Sequence, residues 1–374
     1  MLKQEKTDLL PFSELARKFA LSSLKKNRYD NDKYPFGDFY HDALLQAHKL
    51  GLFSTTLPAD CGGSELGLEV LCVILDEISR VDASMAGIIF THAFAQELLL
   101  QAGCRDHMRA IHEHAAGAVD ALIAFTVFSN PVEVEHATLA VKEGNGYVLN
   151  GPLEYLVLGA LAGQALVPAK ISGQEGFSLF LVKIAQNGIT KSGPVASLGL
   201  HACPAVDISF NAVTAEIVGA EGRGQQYYEA AADRFSVAAA AISSGIMKGA
   251  FQEAHAYSAE RFQGGRAIID WSMLRMILAD MAVKVEIADM AVTQACRALA
   301  EASPRASLQA RAAALHVQEL STSLTTDGIQ VLGGYGYMKD FGQEKRFRDA
   351  KQAQSLLGLF PMKKLKYIEY LRKE

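Results

Sequence analysis

The sequence predicts a mainly α fold with one central β-domain: an N-terminal helical domain, a small β-barrel or sandwich, and a C-terminal four-helix bundle. Three observations predict it. Apolar residues recur at helical spacing over 1–118, and short strand-like runs bounded by Gly, Pro and Asn replace them over 119–222. Long alanine-rich helical stretches then fill 223–374. The chain has 374 residues, which at roughly 150 per domain fits a multi-domain division.

In the first region LLPFSELARKFALSSLKK, FYHDALLQAHKLGLF and LEVLCVILDEISRV carry the helical period. Between the last two, TLPADCGGSELG reads as a loop because of Pro58, Gly62, Gly63 and Gly67. In the second region HATLAVKEGNGYVLNG sets two strand-like runs around Asn145-Gly146, a hairpin signal. FSLFLVKI (177–184) and AVDISFNAVTAEIVG (205–219) are further strands. In the third region the stretch from QYYEAAADRF to AYSAERF predicts one long helix, followed by MLRMILADMAVKVEIADMAVTQACRALAEA and LQARAAALHVQELSTSLTTDGIQVLGG. Ser303-Pro304 opens the last of these and Gly333-Gly334 closes it. Long, apolar-rich helices of this kind pack as an antiparallel bundle.

Composition narrows the function classes. Half the residues are hydrophobic, 21% are charged, and the net charge is −5, an ordinary globular balance. Lys and Arg are dispersed. The one basic cluster, MKKLKYIEYLRKE, is interleaved with Glu and is expected to be a solvated helix face, so nothing points to nucleic acid. The five cysteines include no C-x-x-C and fit free thiols in a reducing compartment. MLKQEKTDLL lacks a signal-peptide core, and no apolar run reaches the roughly 18 residues of a membrane span. A cytoplasmic protein is expected.

Local catalytic motifs are few. No metal is expected: H-E-x-x-H is missing, and His112 and His114, two apart on a helix, point to different faces. There is no G-x-S-x-G, and GAEGRGQ (219–225) is too short for G-x-G-x-x-G and reads as a turn.

What remains is a constellation spread over all three regions. GLFSTTLPADCGGSELG and LDEISRVDAS stand in the first, GYVLNG and SLGLHACPAVDISFNAV in the second, and AERFQGGRAI, DGIQVLGGYGYMKD and KRFRDAK in the third. In this order and spacing they resemble the acyl-CoA dehydrogenase family over nearly the whole chain. The resemblance implies FAD held between the β-domain and the bundle, an acyl-CoA thioester as substrate, and an electron-transfer flavoprotein or similar acceptor. It also implies an assembly, either a homotetramer or a hetero-oligomer with a related subunit. Members use a carboxylate to remove the α-proton while the flavin takes the β-hydrogen as hydride.

Residue by residue, Arg261 matches the family's pyrophosphate-binding arginine, a charge type suited to bidentate phosphate contact. Gln330, Gly333 and Gly334 match its other FAD contacts, Thr126 matches its flavin-binding threonine, and Tyr155 falls on its ring-covering aromatic. The departures are many. FTVFSNPVEVEH keeps Thr126 but not the family's Glu-Pro or Gly-Ser-Asp. Val157 replaces the threonine near the flavin N5, Gly264 a phenylalanine, and Ser272, beside Trp271, a glutamine. After RDAK, where many members carry Y-E-G-T with the glutamate as base, this chain has Leu356, Leu357, Gly358 and Leu359.

In the family that loop lines the acyl pocket, so Leu357 and Gly358 are expected to touch substrate with no proton acceptor among them. Asp233, at the other helix position from which some members supply the base, is the candidate base, and Arg234 beside it the candidate substrate contact. Three functions follow. The first is α,β-dehydrogenation of an acyl thioester; the second a non-catalytic or half-competent subunit; the third a same-fold flavin monooxygenase or non-redox thioester enzyme.

Overall fold

The computed structural model describes residues 8–26, 28–33, 39–115, 117–144 and 146–372. Five helices come first: α1 (Leu10–Phe19), α2 (Phe39–Lys49), α3 (Leu68–Ser79), α4 (Ala83–Gln101) and α5 (Arg105–His114). Asp82 caps α4 by accepting the Ser84 N–H at 3.0 Å, satisfying one of the free donors at a helix start. By length and composition α4 could cross a membrane, which corrects the expectation that no such run exists. Nearly all of it lies inside this protein, wrapped by α3, α5, the bundle and the β-domain. His92, Gln96 and Glu97 interrupt its apolar run, and each finds a polar partner inside the fold.

The β-domain has seven strands: β1 (Ile123–Ala124), β2 (Leu139–Glu143), β3 (Gly146–Val157), β4 (Gln164–Ile171), β5 (Ser178–Lys183), β6 (Ile189–Pro194) and β7 (Ala205–Val218). Five of them, in the order β4-β2-β3-β7-β5, close on themselves because β5 pairs back to β4. The result is a small barrel, with β1 added beside β4 and β6 beside β7. The β2–β3 hairpin pairs Glu143 with Gly146; Asn145 of its turn signal lies outside the described residues. β4 is buried almost without alternation, so period-2 patterning does not reveal it.

The C-terminal region runs α6 (Gly224–Glu260), a short hairpin β8 (Phe262–Gln263) and β9 (Arg266–Ala267), α7 (Ser272–Ala300), α8 (Ala306–Leu332), α9 (Gln343–Ala353) and α10 (Phe360–Leu371). α6, α7 and α8 pack on one another, and α9 and α10 share the fourth place against α8. Gly333 closes α8 with φ +57° and donates its N–H to the Gln330 carbonyl.

α9 ties the three regions together. Lys345 is buried and bonds Asp82 of the N-terminal domain at 3.2 Å and Asp349 at 2.6 Å. Asp349 in turn accepts the Leu200 N–H of the β-domain at 2.7 Å. Arg346 reaches Glu253 of α6 at 2.8 Å and the Arg80 carbonyl at 2.7 Å. Arg348 holds Asp32 at 2.5 Å, and Asp32 also pairs with His201 at 3.0 Å. The Asp32 hydrogen bond raises the His201 pKa to about 9. Burial pushes the Asp32 carboxyl up, but His201 and Arg348 outweigh it and hold the group well below the usual carboxylate range. These are the residues of KRFRDAK, and their chemistry is attachment.

Candidate functional site

The loop after α9 folds back onto the segment after β1. Leu357 has φ +64°, donates its N–H to the Val127 carbonyl at 2.7 Å, and accepts the Tyr228 hydroxyl of α6 at 3.2 Å. Gly358 has φ +121°, and a β-carbon there would come 3.0 Å from the Asn130 Cβ, so glycine is required. Leu356 and Leu357 are buried, whereas Leu359 is 60% exposed, which corrects the expectation that the leucines together line a pocket. Leu359 stands at the start of α10 and turns outward.

Tyr228, which meets Leu357, belongs to a cluster of buried aromatic rings in the same core. Phe94 of α4 lies 5.7 Å from Phe125, 5.7 Å from Tyr228 and 5.5 Å from Phe235, centroid to centroid. Phe125 and Tyr228 stand 6.4 Å apart. Phe94, Phe125 and Phe235 have no accessible surface, Tyr228 retains 1% and Leu357 6%. Burial raises the Tyr228 phenol above its ordinary range, so it stays neutral as a donor. Thr126 and Val157, the flavin-facing positions implied by the resemblance, are buried in the same mass at 3% and 0%. Phe125 and Val157 exchange backbone hydrogen bonds at 3.2 Å. Tyr155 sits at a strained φ of +56°, stacks edge-on against Phe128 at 5.8 Å, and accepts the Gln352 amide of α9 at 3.1 Å.

Asp233 and Arg234 lie on α6, each already engaged. Asp233 accepts from Arg311 of α8 at 2.6 Å, and the Arg311 guanidinium also lies over the Tyr370 ring at 4.5 Å. Arg234 pairs with the buried Glu97 of α4 at 3.0 Å. Lys363 of α10, expected on a solvated face, is instead drawn in beneath the loop. Its amine donates to Gln318 Oε1 at 2.8 Å and to the carbonyls of Gln354 and Leu356 at 2.8 and 2.9 Å. Burial lowers its pKa to about 7, against the pull of Glu133, and the three acceptors match the three N–H bonds of the charged form.

Arg261, Gln330, Gly333 and Gly334 are elsewhere. They stand at the far end of α6, a 37-residue helix about 55 Å long at 1.5 Å per residue. All four are exposed, and a β-carbon at Gly333 would meet nothing within 4 Å. The Arg261 guanidinium lies 5.5 Å from the Tyr335 ring centre and has no carboxylate partner among the described residues. The structure therefore places the predicted cofactor residues in two groups, one near the start of α6 and one at its far end.

Comparison with known proteins follows this geometry. The acyl-CoA dehydrogenase N-terminal domain family matches residues 7–111 and the acyl-CoA dehydrogenase C-terminal domain family residues 222–359. A cyclohex-1-ene-1-carbonyl-CoA dehydrogenase of Geobacter metallireducens is 31% identical over 88% of each chain. This chain belongs to the acyl-CoA dehydrogenase family. The CarC subunit of a caffeyl-CoA reductase-Etf complex from Acetobacterium woodii is 26% identical over 90% of this chain and 91% of its own. The butyryl-CoA dehydrogenase of Megasphaera elsdenii shares the fold at a TM-score of 0.88, with 22% identity over 99% of this chain and 100% of its own. Membership in the acyl-CoA dehydrogenase family implies acyl-CoA dehydrogenation in general, with FAD as cofactor.

The residues that sequence reasoning missed are Phe94, Phe125, Tyr228 and Phe235. No local motif links them; they come from α4, the residue after β1, and α6 and meet only through the fold. Lys363 could have been flagged, since it follows Phe360 at i, i+3 on one helix face and its amine lies 5.7 Å from that ring.

Proposed function

We propose that this chain is the half-competent subunit of a hetero-oligomeric acyl-CoA dehydrogenase. It contributes Arg261, Gln330, Gly333 and Gly334 to a flavin that a related, complete subunit holds by its other end. The observation that carries this reading is the filled space around Leu357. A flavin ring and an acyl chain need a cleft whose walls water can reach when they leave. Val157, Thr126, Phe125 and Tyr228 are covered by protein atoms alone. The ring end of FAD does not fit this chain's residues.

The other end does fit. Exposed backbone at Gly333 and Gly334, with the free guanidinium of Arg261, suits a pyrophosphate reaching in from a neighbouring chain. When bound, FAD supplies the hydride acceptor. This chain's residues bind and orient it, and neither position 357 nor Asp233 offers a free carboxylate to move the substrate proton. Leu357 has no basic atom, and general-base catalysis is worth about 10²–10⁴-fold. Asp233 is committed to Arg311, and Arg234 to Glu97. An exposed stripe on α7, Met273, Met276, Val283 and Met290, provides apolar surface for association. The Etf partner named for the related CarC complex supports an electron-transfer flavoprotein as acceptor of the whole assembly. Five free cysteines support a reducing, cytoplasmic setting.

The test is the visible absorption of the purified chain after incubation with FAD and removal of unbound cofactor, alone and after co-expression with a complete family member. We expect no retained flavin alone and retained flavin in the mixed assembly. Near-stoichiometric flavin in the chain alone, bleached by an acyl-CoA, would overturn the proposal in favour of an autonomous dehydrogenase.

A further inference from the structure

The corner at the far end of α6 holds a residue arrangement the family pattern does not contain. Gly264, where the family has phenylalanine, has φ +66°, and a β-carbon built there would come 2.9 Å from Trp271 Cζ2. A side chain at 264 and the indole at 271 cannot both occupy that space. The indole is fixed by its own N–H, which donates to the Gln263 carbonyl at 3.3 Å, and by Arg266, whose guanidinium lies 4.5 Å from the ring centre. Trp271 nevertheless keeps 44% of its surface exposed.

We infer that Trp271 takes over the lost phenylalanine's place and presents a flat stacking surface to the dinucleotide that Arg261 receives. This rests on the half-site reading above. The chemistry of the corner supports it. Arg261 and Arg266 have no carboxylate partner among the described residues, whereas Arg234, Arg311, Arg346 and Arg348 are all neutralised. Two free guanidinium groups beside open glycine backbone suit a diphosphate. An exposed indole held rigid from one side suits a heteroaromatic ring. A surface that only met another protein would not need two unneutralised arginines around one aromatic ring.

Trp271 is the only tryptophan, so its emission reports this corner alone. Titrating the full-length chain with FAD should quench that emission saturably. ADP, which absorbs too far in the ultraviolet to accept the excitation, should also quench it if the adenine is the stacked ring. Quenching by FAD with none by ADP would show energy transfer to a bound flavin without a ring stacked on Trp271, and would overturn the inference. By calorimetry Trp271→Ala should weaken FAD binding about 5- to 100-fold, the range for loss of one stacked ring, while Trp271→Phe stays within about threefold. Arg261→Ala should weaken it as well. If FAD binds and Arg261→Ala lowers its affinity, but Trp271 emission does not change and Trp271→Ala binds as the native chain does, the inference falls and the half-site reading stands. If Arg261→Ala binds FAD unchanged, the half-site reading falls. If FAD at millimolar concentration neither binds nor quenches, both fall.

Discussion

The Tyr228 hydroxyl donates to the Leu357 carbonyl across 3.2 Å, joining the first turns of α6 to the loop after α9. The bond fastens the loop to Tyr228, whose ring packs against Phe94 and Phe125, so Leu357 is held by a specific polar contact as well as by apolar bulk. Tyr228→Phe should lower stability by about 0.5–1.5 kcal/mol, since it leaves a buried carbonyl short of a partner. Urea unfolding measures it; an unchanged midpoint would show that the bond holds nothing.

A carboxylate placed at position 357 should cost stability. Leu357→Glu puts an acid at a buried position beside Tyr228, where the nearest amine, Lys363, is already held by three acceptors, so burial raises its folded pKa above the unfolded value near 4.3. The variant should be destabilised by about 2–5 kcal/mol at pH 8 and by less at pH 5, where the carboxyl is neutral. Thermal unfolding at the two pH values decides it. Equal losses at both would mean that the loop moves aside.

Opening the space should be possible by truncation. Phe94→Ala removes the ring that touches Phe125, Tyr228 and Phe235, at a cost of about 3–5 kcal/mol. The cavity should then accept small apolar ligands such as benzene, raising the melting temperature of the variant and not that of the native chain.

The α9 network should be the most sensitive spot for stability. Lys345→Met strands Asp82 and Asp349 in a buried position and should cost about 3–5 kcal/mol. Limited proteolysis should then cut between the N-terminal helices and the barrel, which native α9 protects.

His201 gives the alkaline limit. Its folded pKa, about 9, is above the unfolded value of 6.5, so its contribution is full below pH 6.5 and lost as pH rises through 9. The midpoint of urea unfolding should fall over that window, by about 1 kcal/mol or more, and His201→Gln should flatten the slope. On the acid side the depressed Asp32 acts in reverse: its contribution is present above about pH 4 and lost as pH falls below it.

Much of this was legible in the sequence, for identifiable reasons. α6 and the stop of α8 at Gly333-Gly334 were readable because helical period and terminal glycines are local signals. Leu357 could be set against the position that the resemblance gives to a base because it sits at fixed spacing from RDAK. What closes the space was not readable, because Tyr228 and Leu357 are 129 residues apart and neither is unusual alone. Asp233 looked available because its partner Arg311 is 78 positions away on another helix. β4 escaped because a doubly buried strand loses the alternation that betrays an exposed one.

The position of α9 in the chain has a consequence for synthesis. The N-terminal helices, the barrel and α6 all leave the ribosome before Lys345, Arg346, Arg348 and Asp349 do, yet those four residues fasten them together. The parts can pack on one another through their shared apolar core before that, but their polar fastening must wait until nearly the last stretch is translated. Nascent chains interrupted before that point would lack this polar fastening and leave Asp82, Glu253 and Leu200 without their α9 partners. Chaperone demand for this protein should therefore peak late in elongation.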